Sequence, residues 1–278
     1  MPPSNQPEGE LLPPSYDGGQ SASRQIPDYD REMSRPNSRQ RGWNILLTPG
    51  TYFLLGINCA VYLWMVLRGV SPSEPTPRDL IHFGATQATL ILHGQWYRLV
   101  TATFVHVGLL HIATNMWCLW NLGLLGEPLL GPFGLTAVYL LTGVAGNLLS
   151  LAVNVAFRNN SVGAGASGAV FGIAGILIVL LSNKKLPIPW SELKRLRKSV
   201  IWFAAINLLI GGGTLFLPVI RIDNFAHLGG FLSGLALGVP LVPRMTSGRT
   251  RYLQRQKISF AAAAFCLALF GYWIANLR

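Results

Sequence analysis

Seven stretches of mainly apolar residues alternate with polar segments along the chain, at roughly 46–67, 104–126, 133–157, 166–182, 199–219, 225–243 and 259–277. About 20 apolar residues, rising 1.5 Å each, cover the hydrocarbon core of a bilayer, so the pattern predicts seven transmembrane helices. An all-α polytopic membrane protein follows, with its two ends on opposite sides. Residues 1–42 break the pattern: they are rich in Pro, Ser, Gly and Gln, have no hydrophobic periodicity, and are expected to form a disordered tail. No signal-peptide pattern precedes the first stretch. The acids Glu8, Glu10, Asp17, Asp28, Asp30 and Glu32 do not suit a mitochondrial presequence.

Composition agrees with this pattern, since 50% of the residues are apolar and only 12% charged, about half the charged share of a soluble domain. The net charge of +11 raises the question of nucleic acid. Its distribution answers otherwise. Arg24, Arg31, Arg35, Arg39 and Arg41 precede the first stretch; Lys184, Lys185, Lys194, Arg195, Arg197 and Lys198 lie between the fourth and fifth; Arg244, Arg249, Arg251, Arg255 and Lys257 lie between the sixth and seventh. Seven crossings put all of these on one side, which the positive-inside rule makes cytoplasmic. Arg68, Arg78, Arg98, Arg158, Arg221 and Arg278 fall on the other. The expected location is a multi-pass integral protein of a bacterial inner (plasma) membrane, N-terminus cytoplasmic and C-terminus outside. The basic charge is expected to meet the lipid bilayer and no nucleic acid.

Two short features carry little chemistry. Pro13, Pro14 and Tyr16 fit a proline-tyrosine ligand of WW domains, a weak match in a proline-rich tail. Cys59, Cys118 and Cys266 sit in three different stretches and are expected to be small apolar packing residues, forming neither disulfides nor a metal site.

Ser167 and His227 matter more, because an ionisable or nucleophilic group inside a membrane marks function by default. Ser167 lies in a run whose Gly165, Gly168, Gly172 and Gly175 recur at three- and four-residue spacing. That spacing lines up one small-residue helix face and lets another backbone come close. Gly230 and Gly234 form a matching pair in the sixth stretch, with His227 on about the same side. Contact along these faces brings a hydroxyl and an imidazole together as nucleophile and base. His111 and Asn115, four residues apart at the start of the second stretch, share a face at the same depth and supply donors for a developing oxyanion. His106 is expected to shape the cavity, and Asp223 to cap the sixth helix.

These residues carry a resemblance. His106 with His111-Ile112-Ala113-Thr114-Asn115, then Gly165-Ala166-Ser167-Gly168, then Ala226-His227-Leu228-Gly229-Gly230 resemble, in that order, the motifs of the rhomboid family of intramembrane serine proteases. The similarity covers about residues 45–243 and extends to Trp96-Tyr97-Arg98, like the family's Trp-Arg signature, and to Glu127, which matches a structural Glu. It implies a six-helix core plus one C-terminal transmembrane helix. The tail would be 1–42, the catalytic core 43–243, and 244–278 a basic cytoplasmic loop and the seventh helix. It also implies a dyad of Ser167 and His227 without an acidic third member, an oxyanion hole of His111 and Asn115, and transmembrane proteins as substrates. Phe171 stands where many members have Tyr stacked on the catalytic His, a change expected to tune activity modestly.

The alternatives fit less well. A catalytically silent rhomboid-like protein that binds membrane clients would be expected to lack the Ser or the His. A proton-coupled transporter using His106, His111 and His227 would need polar residues through the full depth, and the inner halves of these stretches are nearly apolar. There is no His-Glu-x-x-His helix, no pair of transmembrane aspartates and no Gly-rich nucleotide loop, so neither metal nor organic cofactor is expected.

Overall fold

A computed structural model of the chain describes residues 48–184, 186, 188–213, 223–242 and 248–277. The expected tail, including Pro13, Pro14 and Tyr16, lies outside the described residues, as does 214–219 of the fifth apolar stretch. The described chain is mostly helical: α1 (Pro49–Leu67), α2 (Pro77–His82), β1 (Thr86–Gln87), α3 (Ala88–Leu92), α4 (Arg98–Thr101), α5 (Leu109–Ala156), β2 (Val162–Gly163), α6 (Ser167–Leu180), α7 (Trp190–Gly213), α8 (Asn224–Leu241) and α9 (Arg249–Ala275). Among the described residues, four helices are long and apolar enough to cross a membrane: α1, α5, α8 and, from Thr250 on, α9. The 14-residue α6 is apolar but shorter.

At 48 residues, α5 would run about 72 Å if straight, more than twice the hydrocarbon thickness. It is not straight. Gly131 has φ 76° and ψ 164° between Pro128 and Pro132, which breaks the helical hydrogen-bond ladder. The first limb starts beside Gly165 at His111 and reaches the N-terminus of α1 at Glu127. The second limb comes back, so that Asn147 Nδ2 donates to Leu99 O at 2.8 Å and Ser150 Oγ to Asp223 Oδ2 at 2.5 Å. One assigned helix thus supplies two antiparallel limbs.

α6 sits in the middle of the bundle. It is apolar on every side, and nearly all of its residues, Gly168 to Leu177 and Leu180, are buried. A helix hydrophobic all round belongs inside. α9 is the opposite case, only 17% of its apolar window being buried, so most of its surface is left for lipid. Leu54, Leu119, Leu135, Ile173, Leu193, Leu237 and Phe260 form one core joining α1, both limbs of α5, α6, α7, α8 and α9. Lipid is as apolar as these side chains, so close packing and hydrogen bonds hold such helices together.

Two polar devices fix the ends. Glu127, 3% exposed, accepts from the Gly50 N–H (2.9 Å), the Thr51 N–H (2.7 Å) and the Thr51 hydroxyl (2.7 Å). Its carboxylate meets donors that the first turn of α1 cannot satisfy internally, at the positive end of that helix. At the other end Arg98, also buried, donates from Nη1 to Ile81 O (2.7 Å) and Ala85 O (2.9 Å) and from Nε to Gln95 Oε1 (2.7 Å). It ties residues 77–98 into a folded layer. β1 pairs antiparallel with β2, Thr86 opposite Gly163 and Gln87 opposite Val162, which clips this layer to the segment leading into α6. Within the layer, Thr76 and Asp79 form a capping box at α2. The Thr76 hydroxyl and N–H hold the Asp79 carboxyl below its ordinary range.

Several expected boundaries move. The second span begins at Leu109, not 104, because Gly108 (φ 139°) redirects the backbone and the Leu109 N–H is taken by Pro72 O at 2.8 Å. α9 begins at Arg249, so the stretch expected as a basic loop after 244 is helical from there through Arg251, Arg255 and Lys257. α7 likewise takes in Lys194 to Lys198. Hydropathy marks where a helix enters lipid, whereas these helices run on because no Pro or Gly interrupts them. Of the three cysteines only Cys118 packs against the core; Cys59 and Cys266 are exposed on helix surfaces. Hydropathy alone does not tell a lipid-facing position from a core one.

Candidate active site

Ser167 opens α6 after Ala166 at the N-cap. The first intrahelical bond runs from the Val170 N–H to Ala166 O at 3.0 Å, so the N–H groups of Ser167, Gly168 and Ala169 have no acceptor within the helix. Gly165 has φ 135°, a conformation L side chains rarely adopt, and its N–H donates to Ala102 O at 2.9 Å. The space beside it is also closed. A Cβ there would lie 2.6 Å from His111 Cε1, 3.1 Å from His111 Nε2 and 3.8 Å from Asn115 Nδ2. His111 therefore lies close against the backbone two residues before Ser167, with Asn115 beside it.

The hydrogen bond at the other ring nitrogen of His111 sets its tautomer. Its Nδ1 accepts from the Val107 N–H at 3.4 Å, which leaves the proton on Nε2, the nitrogen facing Gly165. Asn115 Nδ2 is buried without a hydrogen-bond partner among the described residues. The site thus has an imidazole N–H, an amide N–H₂ and helix-start N–H groups around one point. His106 stands behind them, fully buried, its Nδ1 3.1 Å from Phe104 O and its ring 5.4 Å from that of His111.

α8 brings His227 from the other side. A Cβ at Gly168 would meet Ala226 O at 3.2 Å, and one at Gly230 would collide with Gly168 O. Gly234 sits in the same way on Gly172, and Gly175 on Phe231 O. The backbones of α6 and α8 touch along this line. His227, 7% exposed, stacks on Phe171 with ring centroids 4.5 Å apart and planes 21° from parallel. Phe171 lies one helical turn after Ser167, so the stack holds the imidazole over the start of α6. No hydrogen bond joins Ser167 to His227 among the described residues; catalytic hydrogen bonds often tighten only when substrate is bound.

Asp223 has other partners. Its Oδ1 accepts from the Ala226 N–H at 2.9 Å and caps α8, while its Oδ2 accepts from Ser150 Oγ at 2.5 Å. His227 Nδ1 has no hydrogen-bond partner among the described residues, and no group of three or more His, Cys, Asp or Glu there is placed to hold a metal ion.

Some supports of the site went unread in the sequence. Tyr139, fully buried in the second limb of α5, accepts from Asn58 Nδ2 at 3.0 Å, and its one hydroxyl proton faces both Thr103 O at 3.1 Å and Asn58 Oδ1 at 3.2 Å. This braces the segment whose Ala102 carbonyl holds Gly165. Asn58 and Tyr139 were visible as polar groups inside apolar stretches; the Ala102 carbonyl, being backbone, leaves no sequence signal. Thr142 fills the space beside Gly172 and bonds back to Val138 O at 2.7 Å.

Comparison with known proteins places the chain in a family. Residues 93–244 match the model of the rhomboid domain. The chain is 33% identical over 195 residues to Rhomboid protease GluP of Bacillus subtilis (strain 168), covering 68% of this chain and 35% of that protein. It is 32% identical over 217 residues to Rhomboid-like protease 2 of Toxoplasma gondii, covering 73% of each. RHOMBOID-like protein 5 of Arabidopsis thaliana is 34% identical over 180 residues, 64% of this chain and 54% of its own length. The chain thus spans between about a third and three quarters of the relatives it matches. The matched domain takes in His106, His111, Asn115, Ser167 and His227, so the chain belongs to the rhomboid family.

Proposed function

We propose that the chain is an intramembrane serine endopeptidase that cleaves peptide bonds in or near the transmembrane segments of membrane proteins, with Ser167 as nucleophile and His227 as its base. The observation that carries this reading is the double seat of the α6 start: Gly165 against His111 and Asn115 on one side, and the Phe171–His227 stack on the other. In the first step His227 takes the proton of Ser167 Oγ as that oxygen attacks the scissile carbonyl. The negative charge moves to the carbonyl oxygen, where the Ser167 N–H, the His111 Nε2–H and the Asn115 amide stabilise it. The tetrahedral centre collapses as His227 gives its proton to the leaving amine. Water, deprotonated by His227, then attacks the acyl carbonyl, and His227 returns that proton to Ser167 Oγ as the carboxylic acid departs.

The proposed dyad has no carboxylate as a third member, because Asp223 is engaged as cap and by Ser150. A substrate helix must unwind locally, because its carbonyls are hydrogen-bonded while it is intact. The lateral approach we propose for substrate lies between the first limb of α5 and α7, where a groove of about 270 Å³ is lined by Trp117, Asn121, Leu196 and Phe203. Phe203 touches Phe171 at its end nearer the site, ring centroids 6.0 Å apart. The full architecture we propose is six spans plus a C-terminal seventh. The N-terminus and the basic ends of α7 and α9 are cytoplasmic, and the site opens to the outside of a bacterial plasma membrane. The tail 1–42 is proposed as a separate cytoplasmic region carrying the weak WW-type match.

Cleavage of a single-span reporter in liposomes tests the reading. The wild type cuts it, and Ser167→Ala and His227→Ala do not. Uncut reporter with folded wild type, together with stable capture of single-span proteins, would replace it with the client-binding alternative.

A further inference from the structure

At the end of the bundle away from Ser167, three cations converge on one ring. Lys184 Nζ lies 5.2 Å from the centroid of Trp190, Lys194 Nζ 5.8 Å and Arg197 Cζ 5.6 Å. Trp190 is partly buried against the main core, and the Arg197 guanidinium is further held by donation to Ser182 Oγ at 3.1 Å. The indole face attracts each cation, but like charges gathered on one ring repel one another. The only acid of this segment, Glu192, is already paired with Arg195 at 2.6 Å. Topology alone asks for positive charge on this side of the membrane; it does not ask for three charges around one anchored indole.

The same surface continues into an apolar strip. Lys194, Lys198, Trp202 and Ile206 follow one another at four-residue steps along α7, each beside the next on the helix surface. All four are exposed, Trp202 at 56% and Ile206 at 47%. A ligand fitting this face has an anionic head at Trp190 and a hydrocarbon tail along Trp202 and Ile206. We propose that the Trp190 cluster is a binding site for one anionic phospholipid of the adjoining leaflet, its phosphate held by Lys184, Lys194 and Arg197 and its acyl chain laid along α7. Arg presents paired N–H donors to phosphate oxygens and Lys a point charge, a combination suited to a headgroup. The site goes beyond the peptidase reading, and its test needs no proteolysis.

The test is native mass spectrometry of the full-length protein released from micelles holding equal amounts of phosphatidylglycerol and phosphatidylcholine. The wild type is expected to retain one phosphatidylglycerol in preference to phosphatidylcholine. Lys184→Gln with Lys194→Gln should lower that preference at least about fivefold, whereas Lys184→Arg with Lys194→Arg should keep it. Arg251→Gln with Lys257→Gln removes the same charge from α9 and should leave it unchanged. Equal losses in the two Gln pairs would reduce the effect to general surface charge and overturn the proposal. No loss in the first pair, or displacement of the lipid by glycerophosphate at matching concentration, would overturn it as well.

Discussion

Phe171 and Asp223 show how much one side chain settles in this site. Phe171 offers His227 a flat face at 4.5 Å and no hydroxyl. An aromatic stack is worth about 0.5–1.5 kcal/mol beyond area burial, so Phe171→Ala should slow reporter cleavage by up to about tenfold. Phe171→Tyr keeps the face and should stay within about threefold of the wild type; a collapse of kcat in Phe171→Tyr would contradict this packing around the ring. Asp223 is engaged through both oxygens away from the imidazole. Asp223→Asn retains a capping acceptor and most activity, and Asp223→Ala should lower stability by about 1 kcal/mol in thermal unfolding. If Asp223→Asn were as inactive as His227→Ala, the dyad would have to become a triad. The proposed dyad also fixes the sign of the pH dependence. His227 must be neutral to accept a proton, so kcat/KM should fall as pH drops through its protonation, and a rate that rose with acid would exclude it as base.

At the scale of elements, α6 and α8 meet backbone to backbone with glycine on both sides. Gly230→Ala would drive a methyl group into Gly168 O, next to Ser167. Overpacking of this kind costs about 1–3 kcal/mol, and the displacement falls on the start of α6 beside Ser167. Gly230→Ala should therefore lower both the unfolding temperature and kcat. Gly56→Ala on α1, where nothing lies within 4 Å of the added carbon, should change neither. The three- and four-residue glycine spacing is legible in the sequence as a packing face, because helix periodicity alone puts those positions in line. What they pack against is not legible in the same way. Gly172 meets Thr142 and Gly146 meets Ala226 through the second α5 limb, whose return the separate apolar stretches 104–126 and 133–157 predict but whose register against α6 and α8 they do not. Boundaries read from hydropathy failed where the helix and the apolar run differ in length, as at Leu109, Trp190 and Arg249.

The whole molecule is held by a few polar ties in an otherwise apolar bundle. Glu127 at one end makes three hydrogen bonds to the distant start of α1, and Arg98 at the other makes two to Ile81 O and Ala85 O and one to the nearby Gln95. Both stood out in the sequence as rare charges beside apolar runs, and their partners, being mostly backbone groups, did not. Glu127→Ala leaves the first turn of α1 without its acceptor and should destabilise the protein by about 1–3 kcal/mol. Its effect on the rate per folded molecule should be small, since Glu127 is at the far end from Ser167. His111, Asn115, Ser167 and His227 were readable as four polar positions at one depth, to which the proposed chemistry is assigned, while the hydrogen bond at His111 Nδ1 and the buttress of Tyr139 and Asn58 needed the fold. The central claim is that Ser167 is made nucleophilic by His227, and labelling with a fluorophosphonate, mapped by peptide mass spectrometry in the intact membrane protein, tests it most directly. Adduct on Ser167 in the wild type, none in Ser167→Ala and a strongly reduced rate in His227→Ala is the predicted result; equal labelling in His227→Ala, or adduct on another residue, would contradict it.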